Sequence, residues 1–380
     1  MRAVYKLAPL MSRDNTIVFK SYPDYADNAK VLFEYLQSAG FPQGYRAVWA
    51  IESSAADVPS ITGAEIVSKA DTPVKYARAI SKAAYVFDTH TRAVPHGYSI
   101  PKGQKLIVLW HGCGFKGRRT AGDVSFSAMF VPGPLFVKTK SDFFRCDESK
   151  VIPIGYPRYD ILLKDPSEGA HIQDLLPQAA GKTIFWMPTY RENDRGFTWM
   201  EGLSSETGIP LIDTVEQLQE LDEVCAANSV SLVIKRHPMQ RAFRLPEGVR
   251  LSNVYFIDNE NLKAADIDLY EIMRDADAMV TDCSSAGVDY LLLDRPLAYV
   301  LDDFEEYGEA QGYIVDDPRE YMPGAHIYTL DNLKSFVTEV ALGEDDYKSA
   351  RAKARDIMHN PCNCYCERVA QWAGLKAEKA

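Results

Sequence analysis

LYEIMRDADAMVTDCSSAGVDYLLLDRP, residues 269–296, reads as a short apolar strand over 278–281 that stops at Asp282. Cys283, Ser284 and Ser285 follow, and an apolar helix starts at about residue 286. The same unit, an apolar run, then a turn, then a helical pattern, recurs along the chain. In the first half the runs are 16–19, 47–51, 84–87, 106–110, 128–131 and 151–154; in the second they are 183–187, 231–234, 254–257, 278–281, 296–300 and 326–328. Helical spacing of apolar residues fills 27–39, 214–227 and 287–293 between some of them. Buried apolar strands alternating with helices indicate parallel sheets covered on both faces.

Twelve runs in 380 residues are too many for one ordinary sheet. The expectation is an α/β protein of two doubly wound, Rossmann-like domains, the first over 1–170 and the second over 171–345. A join near 165–180 links them, and helices over 346–380 cross back onto the first domain. In open α/β sheets the ligand sits beyond the carboxyl ends of the strands, so the residues directly after each strand are the ones to inspect.

The 42 Lys and Arg against 53 Asp and Glu leave a net charge of −11, which argues against a duplex nucleic-acid binder. No apolar run approaches the roughly 18 residues of a membrane span, and residues 1–15 lack the apolar core of a signal peptide. Seven widely spread Cys suit reduced thiols, and the expected location is the cytoplasm.

Four segments carry chemistry. LIVLWHGCGFKGRRT, residues 106–120, matches G-x-G-x-x-G at Gly112, Gly114 and Gly117. It follows the fourth strand and does not open an apolar helix, so it is not a dinucleotide fingerprint. It reads as a glycine loop with His111 at its entrance and Lys116 and two arginines behind, suited to approaching a phosphate; a surface turn is the alternative. FWMPTYRENDRG, residues 185–196, places Thr189 and Arg191 in a strand-end loop, where Arg suits bidentate binding of phosphate; an ordinary solvated loop is the alternative. SLVIKRHPMQ, residues 231–240, runs an apolar strand into Lys235, Arg236, His237 and Pro238, cations and an imidazole suited to an anion; a structural strand-end His is the alternative. In 269–296, Ser284 or Ser285 is a natural N-cap that leaves free N–H groups for an anion, or serves as a cap alone. Cys362, Cys364 and Cys366 lack the spacing and partners of a zinc site, and no metal site is expected.

In this order the motifs resemble those of the CDP-glycerol glycerophosphotransferase family of teichoic-acid and capsule synthesis. The family's W-H-G-T-P-L-K is similar to Trp110–Lys116, and its G-x-P-R-x-D to Gly155–Asp160. Its A-P-T-W-R resembles Met187–Arg191, and its R-x-H-P resembles Lys235–Pro238. Its T-D-Y-S-S-x-x-x-D resembles Thr281–Ser285 with Asp289, followed by L-D-R-P at Leu293–Pro296. Residues 17–36 resemble its N-terminal F-E-S and D-N-P stretch, so the likeness runs from about 16 to 373. Cys113 and Gly114 replace T-P, and Cys283 replaces an aromatic residue.

The resemblance implies a GT-B-like fold, with two Rossmann-like domains facing across a cleft. It implies transfer of a polyol phosphate from CDP-glycerol, or alternatively CDP-ribitol, to a hydroxyl acceptor with release of CMP. The acceptor would be a lipid-linked saccharide or a polyol phosphate, met peripherally at the inner membrane leaflet, with no cofactor and no metal. The chain's length matches the smaller priming enzymes. On this reading His111 is the general base and His237 a second catalytic residue. Thr189, Arg191, Arg236, Pro238, Asp282, Ser284, Ser285 and Asp289 bind the donor, and Gly112, Gly114 and Lys116 form a phosphate or acceptor loop. A nucleotide-sugar glycosyltransferase of the same fold is the nearest rival, since fold does not fix chemistry.

Overall fold

The computed structural model describes residues 1–117, 121, 124–189, 205–236 and 244–376. The chain divides into two units: Met1–Cys113 with Arg119–Asp160 and Ile357–Ala380, and Gly114–Arg118 with Ile161–Asp356.

The first unit is built on a seven-stranded sheet. Its strands are β1 (Asp14–Lys20), β2 (Arg46–Ile51), β3 (Ala64–Ser68), β4 (Ala83–Asp88), β5 (Lys105–Val108), β6 (Ala128–Phe130) and β7 (Val151–Ile152). They pair in the order β3-β2-β1-β4-β5-β6-β7, every pairing parallel. Six of these strands match apolar runs of the sequence. The seventh, β3, does not stand out there because it is a half-exposed edge strand, with Glu65 ion-paired to Arg46 at 2.9 Å. The core is aromatic: Phe19 packs against Phe33, Trp49 and Phe87 at ring distances of 5.2, 5.7 and 5.7 Å.

The second unit holds β8 (Lys182–Trp186), β9 (Val230–Lys235), β10 (Val254–Ile257), β11 (Ala278–Thr281), β12 (Leu297–Val300) and β13 (Ala325–Ile327). They pair in the order β10-β9-β8-β11-β12-β13, again all parallel. Counted within the unit, this is the order 3-2-1-4-5-6 of dinucleotide-binding sheets. Ile184, Leu232 and Val280 of the sheet bury against Leu218 of the helix Val215–Ala227 and Val337 of the helix Leu330–Leu342. In each unit the strand order reverses once, between β1 and β4 and between β8 and β11, and the crevice at such a reversal is where ligands bind.

The C-terminal chain returns to the first unit. Asp160 accepts the Tyr365 and Cys366 N–H groups at 2.6 and 2.8 Å, capping the helix Tyr365–Ala373. That helix buries Tyr365, Val369 and Ala373, and Trp372 meets Phe130 edge-on at 5.1 Å.

Candidate active site

His111 lies three residues beyond β5, and its backbone is held from several directions. Trp110 adopts φ +60°, a left-handed conformation that is strained for a bulky residue. Its carbonyl accepts from Asn28 Nδ2 at 2.8 Å, and the His111 carbonyl accepts from Arg158 Nη1 at 3.1 Å. Arg158 is itself paired with Asp27 at 2.9 Å, and its N–H donates to Asn28 Oδ1 at 3.0 Å. Three motifs distant in sequence, Asp27–Asn28, Trp110–His111 and Gly155–Asp160, thus share the task of setting one strand end.

The imidazole is equally constrained. Nδ1 lies 3.1 Å from the Thr89 carbonyl oxygen. A carbonyl only accepts, so Nδ1 carries the proton and Nε2 keeps its lone pair. The ring is packed between His90, at 4.0 Å and 8° from parallel, and Trp110, at 4.1 Å and 38°. The residue as a whole is nonetheless exposed to solvent. Burial pushes its pKa down to about 4; the Thr89 carbonyl and Asp27 oppose this, and Lys140 and Arg158 add to it. A neutral imidazole with a free Nε2 is the form a general base requires.

In the second unit, residues 114–117 pack on the turn after β11. Phe115 N–H donates to the Cys283 carbonyl at 3.1 Å, and a Cβ on Gly114 would lie 2.7 Å from both Cys283 O and Ser285 N. Only glycine allows that approach, which is where the family's proline is missing. Lys116 Nζ donates to Thr189 Oγ1 at 2.8 Å. Thr189 in turn donates its N–H and hydroxyl to Asp282 at 2.7 and 2.8 Å. Thr189 follows β8 and Asp282 follows β11, so this clasp spans the reversal point of the sheet.

The remaining expected residues have mixed placements. Ser284 Oγ accepts the Ala286 N–H at 3.1 Å as the cap of the helix Ser285–Tyr290, while the Ser285 hydroxyl has no partner among the described residues. Asp289 is fully buried and accepts the Tyr270 hydroxyl at 2.6 Å. Arg236 pairs with Asp258 at 2.7 Å. Gly112 takes φ +137° between His111 and Cys113. Arg191, His237 and Pro238 lie outside the described residues.

Lys235, which sequence reasoning treats as the start of the loop, is the last residue of β9 and is buried. Burial pushes its pKa down to about 8, with Asp258 opposing. The sequence signal was a cation closing an otherwise apolar strand. His90 was missed altogether, because a lone His after β4 carries no pattern. Among the described residues no group of three His, Cys, Asp or Glu is placed to hold a metal ion. Cys364 and Cys366 instead serve the C-terminal helix: Cys364 Sγ accepts the Glu367 N–H at 3.4 Å, and Cys366 is buried. None of the seven cysteines forms a disulfide.

Over residues 3–363 the sequence matches the family described as CDP-Glycerol:Poly(glycerophosphate) glycerophosphotransferase. The chain belongs to that family. It is 25% identical over 351 residues to the teichoic acid poly(glycerol phosphate) polymerase of Staphylococcus epidermidis, covering 83% of this chain and 44% of the polymerase. It is 23% identical over 384 residues to the teichoic acid glycerol-phosphate transferase of Staphylococcus aureus, covering 91% of this chain and 89% of the transferase. Against the S. epidermidis polymerase and the ribitol-phosphate polymerase TarL of S. aureus it spans about half of each relative, 44% and 58%. The structure of the wall teichoic acid polymerase TagF is similar with a TM-score of 0.72 at 21% identity, over 98% of this chain and 91% of that one. The likeness to TagF extends the expected GT-B-like class to this glycerophosphotransferase-family chain.

Proposed function

We propose that this chain transfers a polyol phosphate, glycerol phosphate in the first instance, from a CDP-activated polyol to a hydroxyl acceptor. Family membership supports the reaction class, and relatives carrying the names of both glycerol- and ribitol-phosphate transferases leave a CDP-polyol as the common donor type. A TagF variant was soaked with CDPG, which points to the same donor class. The observation that carries the reading is the tautomer of His111, with Nδ1–H on the Thr89 carbonyl and Nε2 open.

In this reaction the acceptor hydroxyl attacks the β-phosphorus while His111 Nε2 takes its proton. A new P–O bond forms, the bond from the β-phosphorus to the bridging oxygen breaks, and CMP leaves with that electron pair. The donor diphosphate and the phosphate of the departing CMP need positive charge and N–H donors. On the second unit these are Lys116, Lys235, Arg236 and the Ser284–Ser285 turn, joined by Arg191 and His237. An anion beside Lys235 would favour the charged form that burial disfavours.

The acceptor is proposed to be lipid-linked, with peripheral contact at a membrane surface. No helix among the described residues is long and apolar enough to cross a membrane. Lys69, Lys75 and Lys82 are ion-paired to Glu52, Glu65 and Asp14. The contact therefore rests on exposed Leu7, Leu10 and Val74, with Lys6 and Arg78 nearby in sequence. Flotation with anionic vesicles tests it: Leu7→Glu with Leu10→Glu is expected to abolish binding, and unchanged flotation rejects this surface.

The reaction is tested by incubating the protein with CDP-glycerol, CDP-ribitol and UDP-sugars, and following acceptor-dependent CMP or UDP release. Turnover with a CDP-polyol supports the reading, and turnover with a UDP-sugar alone rejects it. His111→Ala is expected to lower turnover by about 10²–10⁴-fold while leaving CDP-glycerol affinity nearly intact in calorimetric titration. His237→Ala is expected to weaken donor binding as well.

A further inference from the structure

The residues Asp88, Thr89 and His90 form a platform at the end of β4, beside the point where the strand order of the first unit reverses. Asp88 is fully buried, and its carboxylate accepts the N–H groups of His90, Arg92 and Ala93 at 3.0, 2.6 and 2.7 Å. This fixes the turn rigidly. Thr89, also fully buried, then addresses two imidazoles at once. Its carbonyl takes Nδ1–H of His111, and its hydroxyl lies 2.8 Å from Nδ1 of His90.

The proton positions on this platform can be worked out. Thr89 Oγ1 already accepts the Tyr22 N–H at 3.3 Å. Its own proton has no other acceptor among the described residues, so it is donated to His90 Nδ1, and His90 carries its proton on Nε2. The two rings are therefore opposite tautomers, both neutral, stacked face to face at 4.0 Å. Tyr22 closes the far side of His90 edge-on at 5.6 Å, with the Arg92 guanidinium 4.1 Å over the Tyr22 ring.

We propose that His90 is a positioning residue for the reaction: its stacked ring holds His111 in one orientation and one tautomer and keeps water from that face. This rests on His111 being the base. Two parallel imidazoles in contact cannot both be charged without strong repulsion, so a neutral His90 also has to be maintained. The groups facing the pair are Asp27 and Lys140 beside His111, Arg92 and Lys20 beside His90, and Arg158 beside both. Four of these five are cations, and they disfavour a further positive charge on either ring. Burial, followed by His111 and the cations, pushes the His90 pKa down to about 3.

Two variants separate stacking from mere folding. His90→Phe keeps a flat ring against His111, whereas His90→Ala opens that face to water. His90→Ala is expected to lower kcat by about 10–100-fold with KM for CDP-glycerol nearly unchanged. Its acidic limb in kcat/KM should move up toward 6.5, the ordinary value of a solvated imidazole. His90→Phe is expected to keep kcat within a few-fold and keep the limb low. A fall in kcat with no movement of the limb, or equal losses in both variants, overturns the proposal.

Ring-nitrogen NMR of His111 gives a readout independent of turnover. Nδ1–H and a low titration midpoint are expected in the native protein and in His90→Phe, with mixed tautomers and a raised midpoint in His90→Ala. Identical spectra in all three reject the contact. Retained turnover in His111→Ala rejects the base assignment instead, and the spectra still decide whether His90 sets the ring.

Discussion

Asp282 gives both carboxylate oxygens to Thr189, and Thr189 receives Lys116, so one buried acid organises the strand ends on either side of the reversal in the second sheet. Asp282→Ala leaves the Thr189 N–H and hydroxyl without that acceptor, and is expected to destabilise the second unit by about 1–3 kcal/mol. Urea titration of the variant, followed by hydrogen exchange in β8 and β11, checks this. The other residue-scale consequence concerns pH. In the proposed reaction His111 acts as a base only when neutral, and its lowered pKa keeps it neutral well below 6.5. The acidic limb of kcat/KM is therefore expected nearer pH 4 than 6.5. A limb at or above 6.5 would contradict that lowered pKa.

The segment Gly155–Asp160 shows what an element needs in order to dock. Gly155 sits at φ +80°, and a Cβ there would collide with the Tyr365 ring. Arg158 reaches the backbone of His111, and Asp160 caps the helix Tyr365–Ala373. Gly155→Ala combines overpacking with a disfavoured backbone, and should destabilise the first unit by about 1–3 kcal/mol or more. Asp160→Ala removes a cap worth about 1 kcal/mol, and the expected sign is faster amide exchange confined to 365–373. Exchange spread evenly through the first unit would mean that Asp160 does more than cap. The segment that resembles the family's G-x-P-R-x-D is in this chain a fastening for the last helix and for the backbone of His111.

At the scale of the molecule, the last helix belongs to the first unit although it follows the second in sequence. Tyr365, Val369 and Ala373 are fully buried there, and Lys105 Nζ donates to the Ala373 carbonyl at 2.9 Å. Removing residues 357–380 is expected to lower the melting temperature of the first unit while leaving the second unit's transition in place. Hydrogen exchange by mass spectrometry reads this directly: protection is lost in β1, β4, β5 and β6 and kept in β8 to β12. Protection retained in both units would show that the helix is only an accessory. The same discontinuity applies to residues 114–117, which follow His111 directly yet pair with residues 312–314 of the second unit.

The apolar runs at 16–19, 47–51 and 278–281 were decided by sequence alone, because a strand buried on both faces must be apolar throughout and a parallel sheet leaves few alternatives. Some local features were legible for a similar reason: His111 falls just past a strand, and a serine at 284 or 285 caps the helix that follows β11. Tertiary structure was needed wherever function depends on a partner far along the chain. Asn28 and Arg158 reach the backbone around His111 across 82 and 47 residues, and His90 covers its face from a neighbouring strand end. Neither periodicity nor spacing encodes such meetings, since they arise only when parallel strands bring their carboxyl ends to one edge. Nor could the charge of His111 be read from its place in the sequence, because it is set by burial between two rings and by the carbonyl it faces.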